Sequence, residues 1–142
     1  MMKINYDLIL KKNMLNVLKD ILIEIKKNGL KEGHNLYISI DVNNNKIKMP
    51  NWLKQNFPNE ITIVIQYEYW NLKINKNSFN ITLSFNDVKA DLDIPFDSII
   101  SFGDTYANFG LKLMNDKNKV KKEPKTKVKN DNIIDFNKFK KN

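Results

Sequence analysis

Cysteine is missing from this chain, and histidine occurs once, at His34. Without thiols there is no disulfide framework, no thiolate metal site and no cysteine nucleophile, and one imidazole cannot assemble a histidine cluster. The expectation is a protein of a reducing cytoplasm that takes no metal and no other cofactor. Arginine is missing too: all 24 basic residues are lysine. The planar fork that reads guanine or clasps phosphate with two bonds is therefore unavailable. Glycine is scarce, four in 142 residues, and G-x-x-x-x-G-K-[S/T], G-x-G-x-x-G and G-x-S-x-G do not occur. Neither a phosphate-cradling loop nor a nucleophile elbow is encoded. No apolar run approaches the ~20 residues that span a bilayer. The opening MMKINYDLIL has no long apolar core followed by a small-residue cleavage site. These absences lead us to expect a soluble, unexported protein that is not an enzyme and has no membrane partner.

What is present is lysine, and its placement matters more than the net charge of +8. Residues 1–114 hold 14 lysines against 12 acidic residues, whereas residues 115–142 hold 10 against 4. The body is therefore +2 and the tail +6. A body so close to neutral has little electrostatic footprint for DNA or RNA, so no specific nucleic acid is expected as a partner.

Length allows one compact domain. Over residues 6–28 the apolar positions Leu10, Met14, Leu18, Ile21, Leu22 and Ile25 recur at helical spacing. Gly29 follows as the stop, with Lys26 and Lys27 in the last turn where the macrodipole favours cations. Leu8, Ile9, Leu15, Val17 and Ile23 widen the apolar stripe beyond what one sheet face needs. Pairing with a second subunit would use the surplus, and so would deeper burial within one domain; periodicity leaves both open.

After Gly29 the period becomes two. NLYISIDV (35–42) predicts a strand with Leu36, Ile38 and Ile40 on one face, and the three asparagines 43–45 predict a hairpin turn into a short strand KIKM (46–49). Pro50 suits the start of a short helix that Pro58 stops. EITIVIQYEYW (60–70) reads as one long strand and SFNITLSF (78–85) as another, with Phe79, Ile81, Leu83 and Phe85 on one face. Asn86 and Asp87 form a tight turn, and VKADLDIPF (88–96) returns with Val88, Ala90, Leu92 and Ile94 inward. A helical turn within DSIISFGD (97–104) and a last strand NFGLKLM (108–114) complete the set. The fold class is α+β: an amphipathic helix, then a small, mostly antiparallel barrel or sandwich. Residues 115–131 offer only Val120 and Val128 as aliphatic side chains and predict a disordered, extended linker. Apolar residues then resume in NIIDFNKFKK (132–141), where Ile133, Ile134, Phe136 and Phe139 are flanked by Lys138, Lys140 and Lys141. That make-up suits a short linear motif that orders on binding.

Chemistry-bearing constellations are few. His34 stands near a strand start and reads as exposed or hydrogen-bonded rather than as a base. Asp91 and Asp93 alternate outward as a solvated face without a third ligand. The aromatics of QYEYW (66–70) could stack on single-stranded nucleic acid, but Glu68 and the lack of a basic groove oppose that.

Three segments together, EITIVIQYEYWNLKI (60–74), ITLSFNDVKADLDIPFDSI (81–99) and IIDFNKFKK (133–141), resemble the bacterial stringent starvation protein B family, particularly its alphaproteobacterial branch. The likeness covers about residues 4–114 plus the tail. It implies a helix followed by an Sm-like or SH3-like barrel, a homodimer formed through the N-terminal part, and a non-enzymatic adaptor for the protease ClpXP. The dimer would use Leu10, Met14, Leu18, Ile21 and Ile25. A barrel groove would bind the ssrA tag that transfer-messenger RNA adds to stalled proteins. Gln66, whose amide both donates and accepts, leads the residues expected there. Ile65, Tyr67, Glu68, Ser84 and Phe85 border it, with Met49 and Leu83 beside them. The family often has Phe-Gly-Gly where this chain has Phe85, Asn86 and Asp87, which makes the groove edge bulkier and more acidic. The last segment would dock on the N-terminal domain of ClpX through Ile133, Ile134, Phe136, Phe139, Lys140 and Lys141. The division is then 1–114 for tag binding and dimerisation, 115–131 for the linker and 132–142 for docking. The competing class is a small-barrel RNA-binding module whose lysine tail seeks phosphates.

Overall fold

The computed structural model describes residues 3–113. Helix α1 runs Tyr6–Asn28, bounded as the periodicity predicts. Asn5 caps it by accepting a 3.0 Å hydrogen bond from the Leu8 amide. Gly29 ends it at φ 77°, and its amide donates to the Ile25 carbonyl. Leu18, Leu22 and Ile25 form the buried stripe. Strand β1 (Leu36–Asp41) follows, then a short helix α2 (Asn51–Asn56), then strands β2 (Glu60–Ile65), β3 (Trp70–Ile74), β4 (Ser78–Phe85) and β5 (Val88–Pro95). A 3-10 turn at Phe96–Ser98 leads into β6 (Ile99–Asp104) and β7 (Phe109–Lys112).

The strands pair as two antiparallel sheets, β2-β1-β6-β7 and β3-β4-β5. The α+β class and the helix-then-sheet order agree with the sequence reading, but the seven strands do not close into one hydrogen-bonded barrel. In the first sheet Leu36, Ile38 and Ile40 stand opposite Ile65, Ile63 and Ile61, so period two delivers six aliphatic side chains to one face. In the second, Phe79, Ile81 and Leu83 of β4 stand opposite Ile94, Leu92 and Ala90 of β5, all buried. These faces and the α1 stripe merge into one hydrophobic cluster. Helix α1 also caps the free edge of β3, where Lys26 Nζ donates to the Leu72 carbonyl at 2.8 Å.

Four local expectations change. Residues 60–70 are not one strand. Pairing of β2 stops at Leu36↔Ile65 because β1 offers no residue beyond Leu36, so residues 66–69 bend away and β3 starts at Trp70 in the other sheet. Residues 46–49 make no hairpin with β1, both of whose edges are taken by β2 and β6. Lys48 instead forms a lone antiparallel bridge to Asp93 at the edge of β5. Val88 is 51% exposed rather than inward, since it follows the turn where the core has already ended. In 97–104 the helical turn shrinks to the 3-10 step, and most of the segment is β6. Met114, the linker 115–131 and the segment 132–142 lie outside the described residues.

Candidate functional site: an open strand edge beside an aromatic wall

Strand β4 supplies the centre of the site. Its pairing with β3 runs Ile74↔Phe79, Lys73↔Asn80 and Trp70↔Thr82 and goes no further, because residues 66–69 have left for the other sheet. Leu83, Ser84 and Phe85 are thus paired only on their β5 side, to Ala90, Lys89 and Val88. Among the described residues no strand pairs with their other edge. An edge of this kind is a template for an added strand.

The surroundings give that edge its chemistry. Phe85 is half-buried at the end of β4, and the Trp52 ring meets it edge-on with centroids 6.5 Å apart. Trp52 faces outward because Leu53, its neighbour in α2, is the residue that turns into the core. Met49 is half-buried just before Pro50 opens that helix. Trp52 and Phe85 together offer apolar surface, with Met49 three residues before Trp52 in the chain. On the bend between β2 and β3, Gln66 is half-buried while Tyr67, at 77% exposure, and Glu68 stand out in solvent. Lys89 Nζ lies 4.1 Å above the centroid of the Trp70 ring, a cation–π contact that fixes both side chains on the outer face beside Ser84.

Of the expected groove residues, Met49, Gln66, Tyr67, Glu68, Ser84 and Phe85 present surface, while Ile65 and Leu83 belong to the core. Trp52 and Trp70 were missed by the sequence reading. Trp52 had a local signal: a two-turn helix after Pro50 with Leu53 turned inward leaves its neighbour exposed. The hairpin turn at the site's end is as expected, with Asn86 at φ 54° and Asp87 at φ 69°.

The expected dimer residues divide. Leu18 and Ile25 are used up by the chain's own core. Leu10, 54% exposed, and Val17 lie along one side of α1 with the half-buried Met14 and Ile21, which also pack against the core. The docking residues Ile133, Ile134, Phe136, Phe139, Lys140 and Lys141 lie outside the described residues.

Away from the groove, His34 Nδ1 sits 2.7 Å from Asp104 Oδ2, and Tyr106 meets the imidazole edge-on. Asp104 also accepts from the backbone amides of Tyr106 and Ala107. Partial burial pushes the Asp104 carboxyl up, but hydrogen bonds from His34, Ala107 and Asn35 and the nearby His34 charge outweigh it and hold the group below the usual carboxylate range. His34 is accordingly a tie between the α1–β1 loop and the β6–β7 hairpin. Asp91 accepts from the Thr82 hydroxyl at 2.6 Å.

A small α+β domain with a receptive strand edge walled by aromatics belongs to the class of domains that can take an extended peptide. The chain is a member of the stringent starvation protein B family, whose sequence profile matches residues 9–139, and that family is one of adaptors. A search of curated proteins finds no individual match. No helix among the described residues is long and apolar enough to cross a membrane.

Proposed function

We propose that this protein is a protease adaptor that holds ssrA-tagged substrates at the open β4 edge and delivers them to ClpXP. The observation that carries the reading is the edge at Leu83, Ser84 and Phe85, to which no strand pairs among the described residues, with Trp52 against Phe85 at its end. A tag laid along it would gain main-chain hydrogen bonds from β4, apolar contacts from Met49, Trp52 and Phe85, and a side-chain bond from Gln66. The segment 132–142 would dock on the N-terminal domain of ClpX, with the lysine-rich run 115–131 as the leash. Holding substrate and protease at once makes the second encounter intramolecular, at an effective concentration of about a millimolar for a short leash. Pairing of two chains through Leu10, Met14, Val17 and Ile21 would give each assembly two leashes. Family membership and the apolar residues of the terminal segment support the reading.

The test is a fluorescence anisotropy titration with a labelled tag peptide, paired with a ClpXP degradation assay on a tagged substrate. Gln66→Ala is expected to weaken tag binding about tenfold, the loss of one well-placed polar contact. Removal of residues 131–142 is expected to leave tag binding intact and abolish acceleration. Equal acceleration by the truncated chain would overturn the tether. Binding of single-stranded RNA with a steep salt dependence, and no binding of the tag, would favour the RNA module instead.

A further inference from the structure

Five of the 14 lysines in residues 1–114 line one cleft of about 720 Å³ between α1 and the outer end of the second sheet. Lys12 and Lys19 stand seven residues apart on α1, about 10 Å along its axis. Lys46 and Lys48 come from the segment bridged to β5, and Lys76 from the β3–β4 turn. Two carboxylates oppose them, Asp93 and Asp97, so the cleft alone carries +3 in a body whose sum is only +2. Asp97 is already engaged by Lys46 at 2.6 Å and by Asn44. Lys19 donates to the Lys76 carbonyl and lies 4.9 Å from the Phe96 ring centroid. Lys12, Lys48 and Lys76 have no ion-pair partner among the described residues. Three uncommitted ammoniums thus surround one depression, against the mutual repulsion that would spread them over a featureless surface.

We propose that this cleft is a second polypeptide site, which takes an acidic stretch of an extended chain. Its charges are distributed along both walls rather than converging on a point, and none of the glycines lines it, so it lacks the backbone nest that cradles phosphate. Between the lysines lie Asn16, Asn77 and Ser78, whose side chains can pair with peptide N–H and C=O groups. The site is distinct from the tag groove. Ser78 opens β4 and Phe85 ends it, about 23 Å apart at strand rise, so the proposal stands whether or not the open edge binds a tag.

The test uses the full chain, including its lysine tail, and a fluorescein-labelled eight-residue peptide of alternating aspartate and serine. An asparagine–serine peptide is the neutral control. Anisotropy is expected to give binding at least about tenfold tighter for the acidic peptide, weakening with salt. The triple change K12Q/K48Q/K76Q is expected to remove that advantage, and K12R/K48R/K76R to keep it within about twofold. Gln66→Ala is expected to leave it untouched. In amide NMR spectra of the unaltered chain the acidic peptide is expected to shift Asn16, Asn77 and Ser78, an outcome that does not depend on any variant folding. Undiminished binding by the triple glutamine chain would place the affinity in the tail and overturn the proposal. So would inorganic tripolyphosphate or a single-stranded oligonucleotide shifting the same amides at lower concentration than the peptide.

Discussion

Phe85 and Trp52 are 33 positions apart in sequence and meet only because the bridge at Lys48 holds the chain against β5 just before α2 begins. Each is partly exposed, so truncation should cost the fold little and the groove more. Trp52→Ala is expected to lower stability by about 1 kcal/mol or less, the size of one aromatic pair, while weakening tag binding about tenfold. A urea melt and a tag titration on the same protein separate the two, and a large stability loss without loss of affinity would make Trp52 structural. Asp104 lies away from the groove and holds its own loop, accepting from His34 and from the amides of Asn35, Tyr106 and Ala107. The folded state holds its carboxyl below the ordinary value near 3.9, so it favours the charged form. That contribution is complete above the unfolded value and disappears as pH falls through the lower folded one. Asp104→Asn is therefore expected to lose about 1–2 kcal/mol at neutral pH, where it weakens hydrogen bonds to a charged acceptor, and less at a pH well below the ordinary carboxylate value. Urea melts at the two pH values check this; an equal loss at both would assign the effect to shape instead of charge. Contacts such as these are illegible in sequence, since His34 and Asp104 are separated by 70 positions and nothing local marks them as partners.

Among the elements, legibility followed the range of the forces involved. Helix α1 and the β4–β5 hairpin were readable because cap, stripe, stop and turn residues all lie within the element itself. The long strand over 60–70 was misread because its alternation continues past Ile65, whereas its partner β1 ends there, and partner length is not written in a strand's own residues. The same holds for 46–49, whose neighbour is Asp93 and not the strand before it. The hairpin turn carries a prediction at this scale. Asn86 and Asp87 both occupy left-handed backbone, which costs an L residue more than glycine even where Asn and Asp tolerate it. N86G/D87G is expected to raise stability by about 0.5–1 kcal/mol, measured as a higher urea midpoint. The same change removes one negative charge and two side chains beside the open edge, so it is expected to tighten binding of an acidic tag peptide and to act less on a neutral one. A lower midpoint would mean that these side chains contribute contacts that outweigh the backbone strain.

For the whole molecule, the proposed adaptor role rests on two couplings, chain to chain and groove to tail, and each can be tested. On α1, Leu10 and Val17 stay exposed beside Met14 and Ile21, which pack in part against the core formed by Leu18, Leu22 and Ile25, so the helix carries a stripe wider than one sheet uses. L10K/V17K places two charges on that strip without touching the core and is expected to convert a dimer to a monomer in sedimentation while leaving tag binding unchanged; a persistent dimer would move the interface elsewhere. The resemblance to a family brought Met49, Gln66 and Phe85 forward as groove candidates, and the fold adds that their side chains present surface and that Trp52 meets Phe85. If residues 115–131 serve as the proposed leash, its reach follows polymer statistics. A flexible run of 17 residues has a root-mean-square span of about 20–25 Å, and its effective concentration falls roughly as the −3/2 power of length once the span suffices. Doubling 115–131 with glycine and serine is therefore expected to reduce acceleration only about threefold at limiting adaptor concentration, with tag affinity and maximal rate unchanged. Replacing the same residues by a leash of four or five is expected to fail outright, because at most about 13–18 Å of extended chain cannot bridge a substrate-loaded groove to a protease surface. Rates that do not respond to either change would mean that the terminal segment acts without a tether, and the dose dependence in a degradation assay distinguishes these outcomes directly.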